Sequence, residues 1–414
     1  MTARLTAFQQ QVDNWRLDLE LAPTKQPRPL LRNAIIALRG APEWQGVLAY
    51  DEFALTTMAM KPPPWLKARD NAWQPRAWAD HDDVLATDWL QAQGIGVPIT
   101  VTTSAVEAAA KDASFHPVRD YLTRLTWDGT KRVGQFAATY LGAEDMPYHN
   151  EVSTRMFIAP VARIMRPGCK HDHMPIFEAP QGAGKSKTIK MLFEPWFTDD
   201  LAEFGSKDAS MQVRSAWGIE VAELSAMTRG EIERVKAFIT RSTDRFRPSY
   251  GRRVIEVARQ AVFFGSTNAL EYLKDETGGR RFWPVRCGRI DHDAIVRDRD
   301  QLWAEALALY NAGERWWLTD EAVLLAAHGQ QDARYQDDPW HEFITDYCAG
   351  TNTDNVSIAD ILDALGVEWA RWTQADQNRV ARCLMRLGWE RYQKRLPSRE
   401  RQWRYRRAGV TGHD

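Results

Sequence analysis

Apolar and polar positions alternate differently along three stretches of the chain. Up to about residue 20 helical periodicity is weak, and Pro23, Pro27 and Pro29 then interrupt the chain. Apolar residues recur at helical spacing over Leu30–Leu38, which Gly40 ends, and again over Asp82–Gln91. Thr103–Asp112 repeats the pattern with a Thr or Ser cap and an alanine-rich body. Between these, Gly46–Phe53 reads as an apolar segment entering an extended stretch, and Pro62-Pro63-Pro64 as a stiff loop. Residues 1–115 are expected to form a mostly helical accessory domain. They carry no paired-acid pattern of a primase or nuclease.

From His116 the periodicity strengthens. Val118, Tyr121, Leu122 and Leu125 share a helix face, and further helices are predicted at Val133–Leu141 and Glu151–Met165. Short apolar runs then alternate with helices. The runs are Ile176-Phe177, Trp217–Leu224, Gln260–Asn268 and the segment after Arg281, and the clearest helix is Ser225–Thr240. Strands alternating with helices predict an α/β core over 116–335. In 336–414, Val356–Leu365 and Thr373–Leu387 read as helices stopped by Gly366 and Gly388. Two strand-like runs follow, Trp389–Tyr392 and Gln402–Arg406. Helix, helix and hairpin predict a winged helix-turn-helix.

Composition changes this picture only locally. The formal net charge is −1, yet from Arg379 to Arg407 eleven basic residues face only Glu390 and Glu400, a net of about +9. Contact with nucleic acid or with a partner protein would use such a surface. The four cysteines stand far apart, which fits reduced thiols and leaves no zinc spacing. The N-terminus lacks the apolar core of a signal peptide, and no run is long enough to span a membrane. A soluble cytoplasmic protein is expected.

The chemistry centres on Met174-Pro-Ile-Phe-Glu-Ala-Pro-Gln-Gly-Ala-Gly-Lys-Ser186, which reads as strand, glycine-rich loop and helix start. Pro180, Gln181, Gly182, Ala183, Gly184, Lys185, Ser186 and Lys187 form the expected cradle for ATP phosphates. Its glycines admit backbone N–H groups, Lys185 reaches the β/γ-phosphates, and the Ser186 hydroxyl can ligate Mg²⁺. The usual pattern opens with Gly, whereas Ala179 stands here. Glu220 and Glu223 lie on the next predicted strand, where buried carboxylates need a cation or donors to compensate them. Glu223 is the expected water-activating base and Glu220 the Mg²⁺-shell acid, or the reverse. Asn268, at a strand tip, is placed to orient water. Arg280 or Arg281 is the candidate for stabilising charge on a transferring phosphate, reaching the site of a neighbouring subunit.

Two further stretches invite a reading. Arg241–Arg253 holds five arginines with Phe246 and Tyr250, a composition that suits single-stranded nucleic acid through phosphate pairing and base stacking. A solvated basic hairpin or a subunit contact has the same composition. His171 and His173 form an i, i+2 pair with no third ligand, so a surface or nucleotide-edge role is expected rather than a metal.

With these residues in place, the chain resembles the virulence-associated protein E family, phage- and satellite-borne ATPases similar to superfamily III helicases of the AAA+ class. The resemblance runs from about His116 to Thr319. It is carried by HPVRDYLTRLTWDG, RPGCK, EAPQGAGKS, FGSKDA, EVAEL, VKAFITR, DRFRPSYGRR, STN and DETGGRRFWPV. It implies an AAA+-like P-loop core that hydrolyses ATP with Mg²⁺ in a homo-oligomeric, hexameric ring during replication of a mobile element in a bacterial host. Lys185 and Ser186 would be Walker A, Glu220 and Glu223 Walker B, Asn268 the sensor, and Arg280 or Arg281 the finger. Arg245, Arg247, Tyr250, Arg252 and Arg253 would lie near a DNA-contacting hairpin, with Arg401 and Arg404 contacting DNA from the C-terminal unit. The family often has a primase module upstream. None is visible here, so a separate primase or replication protein is an expected partner. The expected activity is a DNA helicase or replication-initiation ATPase acting on single-stranded or origin DNA. The alternative is a DNA-binding ATPase switch that does not unwind; a small-molecule P-loop kinase is disfavoured by the basic C-terminal unit.

Overall fold

The computed structural model describes residues 14–66, 73–247, 254–273, 279–335, 340–350, 355–395 and 401–407. Met1–Arg334 forms one compact unit and Tyr335–Asp414 another. The architecture is mixed α/β with a parallel sheet and many helices.

The N-terminal part departs from the mostly helical expectation. It has the predicted helices, at Leu31–Gly40, Asp80–Ala92 and Ile99–Lys111, but also a four-stranded sheet. Strands β1 (Leu48–Asp51), β2 (Thr56–Ala59), β3 (Arg76–Ala77) and β4 (Ser114–Phe115) lie in the order β3-β2-β1-β4. Runs of two to four residues are too short to display alternation, and β1 buries three of its four side chains. Trp15, Trp44, Leu48, Leu90 and Val106 close one hydrophobic cluster over these elements.

The core sheet is built from β5 (Met174–Glu178), β6 (Phe197–Thr198), β7 (Gly218–Val221), β10 (Val262–Thr267) and β11 (Phe282–Arg286). All neighbours are parallel, in the order β11-β5-β10-β7-β6. Strands β5, β7 and β10 are buried throughout, as expected of parallel strands covered on both faces. The Pro147–Met165 helix is buried over fourteen positions, without interruption from Arg155 to Ile164. Phe193, Trp217 and Trp303 tie the Lys185–Phe193 and His292–Asn311 helices to the sheet, with the two indoles 4.3 Å apart.

Between β7 and β10 the chain makes the Arg229–Ile239 helix, opened by a Thr228/Glu231 capping box. An antiparallel hairpin follows, of β8 (Thr243–Phe246) and β9 (Ile255–Ala258). Its base is held by a buried ion pair: Arg259, 0 % exposed, donates through Nε to Asp244 at 2.8 Å and through Nη2 to the other carboxylate oxygen. Buried Arg163 donates to the carbonyl of His171 at 2.7 Å and lies by those of Arg259 and Arg241. Burial lowers its guanidinium to about 10, so it stays a cation at neutral pH.

In the C-terminal unit, β12 (Asn355–Val356), β13 (Trp389–Arg395) and β14 (Arg401–Arg407) form an antiparallel sheet in the order β12-β14-β13. The Ile358–Ala364 and Gln374–Arg386 helices, each with a capping box, pack on it through Ile361, Leu362, Val380 and Leu384. Among the described residues, no helix is long and apolar enough to cross a membrane.

Candidate nucleotide and nucleic-acid site

The loop 179–184 leaves the carboxyl end of β5 and enters the Lys185–Phe193 helix, so it lies at the edge where open parallel sheets place their ligands. Gly182 and Gly184 have φ of 82° and 90°, in the left-handed region that favours glycine. At Gly184 a Cβ would also stand 2.3 Å from Cε1 of His292. Ala179 is buried in the main core and its backbone is outside the left-handed region, so the conformation here does not demand glycine. Lys185 Nζ donates to the carbonyls of Ala179 at 2.7 Å and Pro180 at 3.1 Å, folding back across the loop's mouth. Pro180, Gln181, Ser186 and Lys187 are exposed, and Ala183 is half-buried.

Two strands away, β7 presents Glu220, only 3 % exposed. Its Oε1 accepts from Ser186 Oγ at 2.6 Å and from Ser266 Oγ at 2.5 Å. A hydroxyl and a carboxylate brought together beside a glycine-rich loop are the oxygen donors that Mg²⁺ takes, the rest of its shell being water and phosphate. The residues present therefore fit the cation. Among the described residues no cluster of three or more His, Cys, Asp or Glu could hold a metal by itself.

Glu223 is placed differently from Glu220. The predicted strand Trp217–Leu224 ends at Val221, and Glu223 is exposed in the following turn with φ of 54°. A non-glycine residue in that region costs on the order of 1 kcal/mol, a strain that recurs at functional turns. Asn268, the first residue after β10, is exposed. Because β10 lies between β5 and β7, Asn268 emerges between the loop and the acid-bearing strand.

Arg280 and Arg281 lie at the other end of the sheet. Both precede β11, whose Phe282 pairs with Met174 and whose Arg286 pairs with Glu178. A strand rise of ~3.3 Å per residue puts them roughly 16 Å from the loop of their own chain. Arg281 is half-buried, donating to Thr240 Oγ1 at 3.2 Å and lying 3.9 Å from Asp172. Arg280 is exposed on a cavity of about 660 Å³ lined also by His171, His173, Trp283, Trp316 and Trp317. Of the two histidines expected at the surface or a nucleotide edge, His171 is buried at 6 % exposed, while His173 is half-buried and stacks on Trp283 at 4.4 Å. Burial, together with Arg280 and Arg281 and against Asp172, lowers His173 to about 4.

Of the basic stretch, Arg245 and Arg247 are exposed on β8 and just after it, while Tyr250, Arg252 and Arg253 lie outside the described residues. Phe246 is 5 % exposed with Arg214 over its ring, so it fills the core and is not free to stack on a base. In the C-terminal unit, Arg404 pairs with Asp360 at 2.7 Å and the backbone of Arg401 opens β14. Arg391 and Arg406 lie over the rings of Trp403 and Tyr392.

The structure also shows a buried cluster beside the loop that spacing did not reveal. Glu178, immediately before the loop, is buried and accepts from both Arg334, through Nη2 at 2.7 Å and through Nε, and the Tyr272 hydroxyl at 2.8 Å. Burial and the Glu178 carboxylate push the Tyr272 phenol well above its usual range, so it remains a donor. The Arg334 carbonyl accepts from the backbone of Tyr272 and Leu273. This lock joins residues 94 and 156 positions apart, which no local pattern announces. Ser266 was legible as part of a polar strand tip; His292 had no signal.

A model of the virulence-associated protein E-like domain matches residues 122–335. The chain belongs to this family. The virulence-associated protein E-like match contains the whole loop, Glu220, Glu223, Asn268, Arg280, Arg281 and the β8–β9 hairpin, and it ends beside the Tyr335 boundary between the two units. No curated protein matches the chain. Among solved structures, one apo structure of the NrS-1 C-terminal region (305–718) is similar at 11 % identity with a TM-score of 0.45. Another, the A form, is similar at 12 % identity with a TM-score of 0.46. Each alignment covers 87 % of this chain and 96 % of the other.

Proposed function

We propose that this chain is an ATP hydrolase that works on DNA as a ring of identical subunits, a helicase or replication-initiation ATPase of a phage or related mobile element. The observation that carries the reading is the contact of Ser186 with buried Glu220 beside the 179–184 loop. Family membership agrees with it. In this reading the five-stranded core is an AAA+-like P-loop domain, residues 1–115 an accessory domain and residues 336–414 a winged helix.

The loop amides and Lys185 receive the phosphates of ATP; Lys185 exchanges two carbonyl partners for the β/γ-phosphates. Ser186 and Glu220 would hold Mg²⁺, which supplies charge neutralisation to the phosphates. Glu223, exposed and free of the Glu220 pair, takes the proton of the attacking water, and Asn268 orients that water. Arg280 or Arg281 serves the loop of the next subunit, since each lies at the far end of the sheet from its own. Arg245 and Arg247 on the hairpin and the basic C-terminal strands meet the phosphates of DNA. Of the two finger candidates, Arg281 donates to Thr240 Oγ1, two residues before Ser242, whose carbonyl accepts from the backbone N–H of Arg259 at the hairpin base.

Strand displacement tests this reading. The purified chain should separate a forked duplex with ATP and Mg²⁺, and Lys185→Ala should abolish the activity. Hydrolysis and DNA binding without any separation would instead indicate a DNA-binding ATPase switch.

A further inference from the structure

A second cavity, of about 670 Å³, adjoins the loop and has no assigned role. Thr139, Lys187 and the 289–293 segment line it. His292 joins the two features: it lines the cavity, while its Nε2 lies 3.1 Å from the carbonyl oxygen of Gly184 and 3.3 Å from Thr188 Oγ1. The wall is built in advance. Gly288 N–H donates to the Leu141 carbonyl at 2.8 Å and Asp291 N–H to the Tyr140 carbonyl at 2.9 Å, pinning the segment to the Phe136–Leu141 helix. The close approach of Gly142 to Gly288 leaves no room for side chains at either position.

The lining chemistry differs from that of the loop. Two cations, Lys187 and Arg289, are balanced by two carboxylates, Asp291 and Asp293, so the cavity has no net attraction for a polyanion. One Asp291 oxygen already caps Ala294 N–H at 3.0 Å. Asp293 and the Arg289 guanidinium have no hydrogen-bond or ion-pair partner among the described residues, so both are available to a ligand. Ile290 and the imidazole of His292 add a flat, partly apolar wall. A neutral, planar group bearing hydroxyls and hydrogen-bonding edges matches this set: a nucleoside.

We propose that this cavity is the nucleoside subsite of the triphosphate site, with His292 forming its wall and holding the Gly184 carbonyl in place. The inference rests on the reading of the 179–186 loop as a triphosphate cradle. The cavity then supplies base and ribose recognition, while the loop supplies only phosphate affinity. His292 is a positioning residue; Arg289 and Asp293 would contact the nucleoside.

The test is competition against methylanthraniloyl-ATP on the full chain, with ATP, GTP, CTP and inorganic tripolyphosphate as competitors. The double variant Arg289→Ala/Asp293→Ala changes two exposed side chains and should keep the fold. It should lose about tenfold in ATP affinity, a change equivalent to ~1.4 kcal/mol, and flatten any preference among bases. Tripolyphosphate affinity should stay within about twofold. Equal losses for ATP and tripolyphosphate, or no loss for either, would overturn the subsite. Lys185→Ala should weaken both ligands together. If the wild-type chain bound neither, the triphosphate reading itself would fail and the subsite with it.

Discussion

Two glutamates three positions apart differ in everything that decides their chemistry. Glu220 is buried, accepts two hydroxyl hydrogen bonds and lies against Ser186; Glu223 is exposed, past the strand end, on a left-handed backbone. Residue type and spacing made both candidates for one site but left their order open, because the strand end at Val221 cannot be read from an apolar run that continues to Leu224. Burial and bonding now separate them. Glu223→Gln is expected to cut turnover by roughly 10²–10⁴-fold, the range for loss of a general base, with nucleotide affinity retained. Glu220→Gln is expected to raise the Mg²⁺ concentration needed for nucleotide binding. Steady-state hydrolysis and Mg²⁺ titration of nucleotide binding distinguish the two, and equal effects of both substitutions would contradict the division of roles.

The β8–β9 hairpin shows what one element requires to hold a basic surface in place. Arg259 and Asp244 are 0 % and 4 % exposed at the side chain, and Arg163 caps the carbonyls around them. Removing one partner leaves an uncompensated buried charge, which costs about 3–5 kcal/mol. Asp244→Ala should therefore lower the denaturation midpoint strongly, whereas Asp244→Leu/Arg259→Met should recover much of the loss. Equal destabilisation by the single and double changes, measured by denaturant unfolding, would sink the ion-pair account. The core helices were legible from periodic runs and four of the five core strands from short apolar runs between them, whereas the two-residue β6 was not. Of the N-terminal strands only β1 fell in a stretch read as extended; β2, β3 and β4 were not legible, since two to four residues hold no periodicity. Phe246 was misread for a related reason: composition shows an aromatic among arginines but not that its ring faces Arg214 in the core. Long-range partners such as Glu178 and Arg334 are set by tertiary packing alone.

At the scale of the whole molecule, the proposed reading needs two groups of residues that one chain holds at opposite ends of its sheet. The loop, Glu220, Glu223 and Asn268 gather at the carboxyl ends of the strands, and Arg280 and Arg281 precede the amino end of β11. That placement is what the proposed sharing of sites between neighbouring copies requires, since the arginines stand far from the loop of their own chain. The most direct measurement mixes two inactive variants, Lys185→Ala and Arg280→Ala/Arg281→Ala, and follows ATP hydrolysis. Shared sites predict that each variant alone is inactive and that the mixture regains activity, because some interfaces join an intact loop to an intact arginine pair. Wild-type hydrolysis by Arg280→Ala/Arg281→Ala alone, or a mixture that stays inactive while both variants co-assemble, would contradict the account.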